Sequence, residues 1–322
     1  VMLPLGAAAL AWGRADLTVA RRSLHQRLLS ESESPEQRIA LRAALHSAIR
    51  KHPAEPYFPL VGALLAWKSR DDDPMPWLSW ALERDITNGR AHLLAAEVVG
   101  SRGSRGQALF ELRMGLVDDP GLADAAARLA LRWSATCEEL RALAPSGERG
   151  AGVLCTLASF APAELSGCRD QLVADALERA PSAPWPRKIA ASDLLQKLKN
   201  HKTDPSCSGD RWAACQAKIE QHARVLDVAE PRSGAALQVR AQALRFAGNP
   251  DEGERLLREN CHAFDGREGC LRTRVDVAAE MQPPTHLLPA VRDYVAVACA
   301  SAAACAIAST SMGDLLVSRG DI

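Results

Sequence analysis

The side chains with the greatest capacity for chemistry in this sequence are nine cysteines and eight histidines. Their spacing decides between bonding, metal ligation and catalysis. Cys207 and Cys215 flank Ser208-Gly209-Asp210, and Cys261 and Cys270 flank Asp265-Gly266. Cys299 and Cys305 flank Ser301, and Cys155 and Cys168 flank Pro162 and Gly167. Each pair brackets an expected break between helices. That placement can bring Cα atoms within the roughly 4–7 Å that a disulfide spans. Zinc instead favours thiols about two to four residues apart with a second ligand pair nearby. Here the separations are 8, 9, 6 and 13, and the histidines at 25, 46, 52, 92, 201, 222, 262 and 286 complete no ligand set. His262 stands alone beside Cys261. The candidate disulfide residues are therefore Cys155, Cys168, Cys207, Cys215, Cys261, Cys270, Cys299 and Cys305, and no metal is expected. Cys137 is left over, either free or competing with Cys168 for Cys155.

Other chemistry is sparse. The run Gly100 to Gly106 is glycine-rich, but it follows a helical pattern and lacks the Lys-Ser/Thr pair that holds phosphate, so it reads as a hairpin turn. No His-Glu-x-x-His, Gly-x-Ser-x-Gly or supported Ser-x-x-Lys occurs. Glu138 and Glu139 are adjacent on a helix and point apart, which rules out shared acid–base work. The expectation is no catalytic residue, no cofactor and no enzymatic activity.

Disulfides persist in oxidising compartments. The bias toward Arg and Ala points to a GC-rich bacterial source, and so to a periplasmic or other extracytoplasmic location. Val1 to Trp12 is apolar but shorter than the roughly 20 residues of a spanning helix. It leaves three readings open: a buried capping helix, the tail of a membrane helix that anchors the chain to an inner membrane, or a residual export signal. Gly313 to Ile322 reads as a helix reaching a turn without its partner, which predicts that the natural chain continues.

The elements that must position these residues are helices. The chain has 322 residues and 47% hydrophobic content, with few aromatics and no long β-branched runs. Ala, Leu and Arg lose little side-chain freedom in a helix. Ala91, Leu94, Ala95 and Val98 form one apolar face, Gly103 breaks it, and Ala108, Leu109, Leu112 and Leu116 form the next, closed by Asp119-Pro120. One period earlier, Tyr57, Leu60, Gly62, Leu64 and Trp67 precede a loop at Asp71 to Pro76, and Trp77, Ala81 and Leu82 begin a second stripe. From Pro53 to Ile86 is 33 residues and from Ile86 to Pro120 is 34. Downstream, Ala236 to Phe246, Gly248-Asn249-Pro250 and Asp251 to Asn260 repeat helix, turn and helix. Gly320 follows Gly248 by 72, twice 36.

A helix–turn–helix at a period of about 34 resembles the tetratricopeptide repeat (TPR) family. The Trp-Leu-Gly-Tyr signature is only partial. The resemblance implies an all-α fold, an α-α superhelix or solenoid of antiparallel helical hairpins. The expected organisation is N-terminal helices over 1–52, TPR-like repeats over 53–120, irregular helical repeats over 121–231, and TPR-like repeats over 232–322 with the last one cut short. A narrower likeness spans His52 to Phe58, Trp77 to Leu82, Ala91 to Leu94 and Gly106 to Leu109. These segments are similar to the periplasmic region that follows the last membrane helix in bacterial O-antigen ligase and polymerase-like proteins. That likeness implies an accessory domain in a protein acting on lipid-linked glycans, whose catalytic groups lie outside this chain.

What remains is a surface. Lys+Arg and Asp+Glu both total 39, so the sequence lacks the net positive field of a nucleic-acid binder. Arg21 and Arg22 read as a solvated helix face, and Asp71 to Asp73 as a solvated loop. In a TPR-like stack the first helix of each hairpin lines the concave face. The expected liners are Tyr57, Trp67, His92, Glu97, Arg240, Gln242 and Arg245, with core packing the competing role for Tyr57 and Trp67. The expected partner is a protein or peptide and not nucleic acid, with a membrane tether through the N-terminal segment as a further expectation.

Overall fold

A computed structural model describes residues 16–27, 34–70, 72–133, 136–162, 165–200, 205–281, 283, 286–299 and 302–319. Among the described residues there are helices and no strands. The chain is an all-α repeat protein of TPR-like antiparallel hairpins, and it divides into two compact units, Val1–Leu172 and Val173–Ile322.

In the first unit, α1 covers 16–27 and α2 Pro35–Lys51. The hairpin of α3 (Tyr57–Ser69) and α4 (Met75–Arg84) follows, then that of α5 (Gly89–Ser101) and α6 (Arg105–Asp118). After these come α7 (Ala123–Arg132), the short α8 (Cys137–Leu143), α9 (Glu148–Phe160) and α10 (Ser166–Arg179), which carries the boundary. The second unit contains α11 (Pro184–Lys199), α12 (Arg211–Ala229), α13 (Ala235–Phe246), α14 (Pro250–Asn260), α15 (Arg267–Ala278), α16 (Leu287–Ala298) and α17 (Ala302–Arg319). Helices also run through 121–231, but they are uneven, from 7 residues in α8 to 19 in α12. That unevenness is what blurs the period there.

Local chemistry starts and stops these helices. Ser34 and Gln37 form a capping box at α2, as do Thr136 and Glu139 at α8, and the Asn88 side chain accepts from the Ala91 amide at α5. The α5–α6 and α13–α14 turns close in the same way. Gly103 and Gly248 take φ of 87° and 84°, and the next amides, Ser104 and Asn249, donate back to Val99 and Leu244. Only glycine reaches that conformation without penalty, and the closure satisfies helix-end carbonyls.

The first unit's core joins Leu41, Leu45, Phe58, Leu65, Trp77, Leu78 and Ala91 from α2, α3, α4 and α5. It depends on close approach: a Cβ on Gly62 would meet the Trp77 ring at 2.2 Å. Polar contacts then tie each hairpin to the next at one period. Arg105 pairs with Glu139 over 34 residues and Arg132 with Glu97 over 35. Within the second unit, Arg232 pairs with Asp265 over 33, and Arg245 with Glu280 and Thr273 with Gln238 over 35. A spacing of one repeat is where stacked, equivalent helices place side chains side by side.

Four disulfides are present. Cys207–Cys215, Cys261–Cys270 and Cys299–Cys305 close loops at separations of 8, 9 and 6. The fourth differs from expectation: Cys168 bonds Cys137 at a separation of 31, and Cys155, expected in a bond, is the free and fully buried thiol. The reason is the stacking. Cys137 on α8 and Cys168 on α10 lie about one period apart and meet on successive second helices, whereas Cys155 on α9 is turned into the core. Burial pushes the Cys155 thiol up to about 12, far from the reactive thiolate range.

Candidate functional site

A cavity of about 790 Å³ lies in the first unit. It is lined by α1, α3, α5 and α7 with the turns before α3 and α5, that is, by the first helix of each successive hairpin. Its floor is apolar: Leu60, Val61, Leu64, Leu93, Leu94, Leu122 and Leu129. Leu60, Val61, Leu94 and Leu129 reach into the core, while Leu64, Leu93 and Leu122 remain partly exposed. The helical period explains both roles, since positions three and four apart share a face.

The rim is charged. Arg21 on α1 donates to Glu55, and its guanidinium lies 5.6 Å from the Tyr57 ring centroid. Tyr57 Oη sits 3.3 Å from His25 Nδ1, and burial raises the phenol's pKa against the opposing pull of Arg21. Arg132 reaches Glu97 at 3.4 Å, and both groups keep water contact, so this pair contributes little stability. Asp85 is turned inward on its own loop, accepting from the Thr87 amide and hydroxyl. Of the four arginines lining the cavity, two lack an ion pair among the described residues. Arg90 is exposed, and Arg128 lies 4.5 Å from the Phe160 ring centroid.

The expected liners are divided by the structure. Tyr57 and Glu97 stand in this groove. Trp67 packs against the hydrophobic core, the alternative role open to it, and Tyr57 does so as well. His92 is a correction: it is 6% exposed and bonded on the α6 side, because its helical position faces the partner helix, not the concave side. In the second unit Arg240 is held by Glu220 and Asp227, which raise its pKa, and Glu220 is held below the ordinary carboxylate range in return. Arg245 is held by Glu280 and donates to the side-chain Oε1 of Gln242. Sequence periodicity missed Leu93, Leu122, Arg90 and Arg128. Arg90, Leu93 and Glu97 on α5, and Arg128 and Arg132 on α7, recur at three- and four-residue offsets, which was a usable signal.

Among the described residues no cluster of three His, Cys, Asp or Glu groups could hold a metal, and no helix is long and apolar enough to cross a membrane. The apolar run Val1 to Trp12, Asp71, Gly320 and the last residues lie outside the described residues.

The sequence matches no protein-family model and no curated protein. Among solved structures the chain is similar to a human IFIT1 dimer with PPP-AAAA, at TM-score 0.41 and 13% identity over 89% of this chain and 61% of that one. It is also similar to a human IFIT1 dimer with m7Gppp-AAAA, at TM-score 0.43 and 14% identity over 89% and 60%. The chain spans about three-fifths of those proteins. The repeat architecture rests on the helices, their turns and their period.

Proposed function

We propose that this chain is a non-catalytic, extracytoplasmic scaffold, and that the groove on the first unit takes a segment of another protein. The supporting observation is the groove itself, an apolar floor built by α3, α5, α7 and Leu122 beneath a rim on which Arg90 and Arg128 have no carboxylate partner among the described residues. Its occupant is an amphipathic segment with leucine-like side chains for the floor and acidic groups for Arg90 and Arg128. Apolar anchors in a groove supply most of the affinity in helix-in-groove recognition, and rim charges set orientation and on-rate. The zero formal net charge supports a protein over a nucleic acid as partner.

Fluorescence anisotropy with the whole chain tests this reading. Acidic amphipathic peptides rich in leucine are expected to bind, basic versions of the same peptides and a 5′-triphosphate oligoadenylate are not. Leu93→Arg should weaken binding by at least about tenfold, equal to the roughly 1.4 kcal/mol of one well-buried contact. Equal binding by Leu93→Arg and the unsubstituted chain would remove the groove from consideration.

The four disulfides support the oxidising compartment. Alkylation of denatured, unreduced protein isolated from its host should label Cys155 alone, and labelling of all nine thiols would exclude that location. The narrower form of the proposal makes the scaffold the periplasmic part of an O-antigen ligase or polymerase-like membrane protein. It predicts that the native polypeptide is extracted by detergent only and exceeds 34.6 kDa in mass.

A further inference from the structure

His92 is one of the few polar side chains buried in the first unit, and the groove does not use it directly. Both of its ring nitrogens face acceptors. Nδ1 lies 2.7 Å from Glu111 Oε2 on α6, and Nε2 lies 2.9 Å from the Ile86 carbonyl oxygen in the α4–α5 turn. A backbone carbonyl only accepts. A carboxylate only accepts as well, and Glu111 already takes a hydrogen bond from Gln107 Nε2 at 2.6 Å on its other oxygen. A neutral imidazole carries one N–H and cannot serve both partners. The arrangement is complete only when the histidine–glutamate pair holds an additional proton.

The surroundings favour that proton. Asp118, also on α6, adds a second carboxylate to the field at His92, and its Oδ2 is buried with no hydrogen-bond partner among the described residues. The charges acting on His92 are the Glu111 and Asp118 carboxylates of α6; on the same helix Arg105 pairs with Glu139 and Arg113 is exposed to water, and Asp85 in the α4–α5 turn is engaged by Thr87. Arg90 on the same helix as His92 is exposed to water. The pKa of His92 is raised, chiefly by the Glu111 hydrogen bond, with burial opposing and the Ile86 carbonyl assisting.

The carbonyl that His92 holds belongs to the groove rim. Ile86 sits between Asp85 and Asn88, both of which line the cavity, and Asn88 caps the helix that carries Leu93 and Leu94. We propose that His92 is a proton-dependent clasp that fastens the α4–α5 rim of the groove to α6, firm while the histidine–glutamate pair holds its additional proton and released as the pH rises. This is regulation of the proposed binding surface, but it is readable without any occupant, so its failure would leave the groove reading intact.

The sign follows from linkage. A group whose folded pKa lies above its unfolded value stabilises fully below the unfolded value, about 6.5 for histidine, and that stabilisation is lost as pH rises through the folded value. NMR of the His92 ring protons and of the Asn88 and Ala91 amides between about pH 5 and 9 tests it. The ring should titrate above about 6.5, and protection of the two amides should fall across that midpoint by up to about tenfold per unit of elevation. Glu111→Gln should lower the midpoint and shift the loss of protection with it. If that variant does not fold, His92→Gln, which cannot titrate, should flatten the profile. A midpoint at or below about 6.5, or protection that is constant through the midpoint, overturns the proposal.

Discussion

The two units use the same helical hairpin and differ in how particular arginines on their first helices are engaged. In 1–172, Arg90 and Arg128 are left without ion pairs around a leucine floor, and the interior is large and apolar, with Phe58, Trp77 and seven or more leucines. In 173–322, Arg240 and Arg245 are neutralised by Glu220, Asp227 and Glu280. Arg274, 4% exposed, is enclosed by Glu254 and Asp293. The apolar clusters there are smaller, and three of the four disulfides reinforce them. Arginines committed to internal pairs are not free for a partner. That contrast is the reason the proposed recognition surface is placed on the first unit.

Reduction should separate the units most strongly. Closing loops of 8 and 9 residues restricts the unfolded chain by about 2.5 kcal/mol each in the chain-entropy treatment. Under reductant, amide exchange followed by mass spectrometry should show far greater loss of protection across 205–299 than across 35–118. Similar losses in both regions would mean that the second unit does not depend on its bridges.

Glu254→Ala should act next. It leaves Arg274 buried beside Asp293 alone, and breaking one side of a buried pair costs about 3 kcal/mol. The midpoint for 250–298 in urea should drop while that for 57–118 holds.

The units should also respond oppositely to pH. His222 on α12 is 8% exposed, lies against Arg187 at 3.3 Å, and is held down to about 4, chiefly by burial and then by Arg187 and Lys218. Its folded pKa is below the unfolded one, so the unfolded chain binds the extra proton and stability is lost as pH falls from about 6.5 toward 4, on the order of 3 kcal/mol. His92 has the opposite sign. Exchange protection around α11 and α12 should fade in acid while that around α5 persists; parallel fading of both would refute the contrast.

The smallest effect belongs to Arg240→Ala. Its partners are partly exposed, so the loss in thermal stability should be about 0.5–1 kcal/mol, with peptide binding unchanged. A drop in peptide affinity would show that the second unit contributes to recognition after all.

The two regular stretches of the sequence, 53–120 and 236–260, carried the fold, because Gly103, Gly248 and the flanking apolar stripes are local signals that a helix obeys wherever it lies. The segment between them was less legible, since α8, α11 and α12 depart from the common length. Three disulfides were readable for the same reason as the turns, being closed within 6 to 9 residues. Cys137–Cys168 was not, because it joins side chains brought together only by stacking of successive hairpins. The candidate site divides along the same line. Composition and period alone determined a helical repeat protein and an expected binding surface on its first helices. Which residues face the groove, and which arginines are already neutralised, depends on helix rotation and on partners about 13 to 35 residues away. Only the packed structure sets those, because a side chain's chemistry is fixed by its sequence but its availability is fixed by its neighbours.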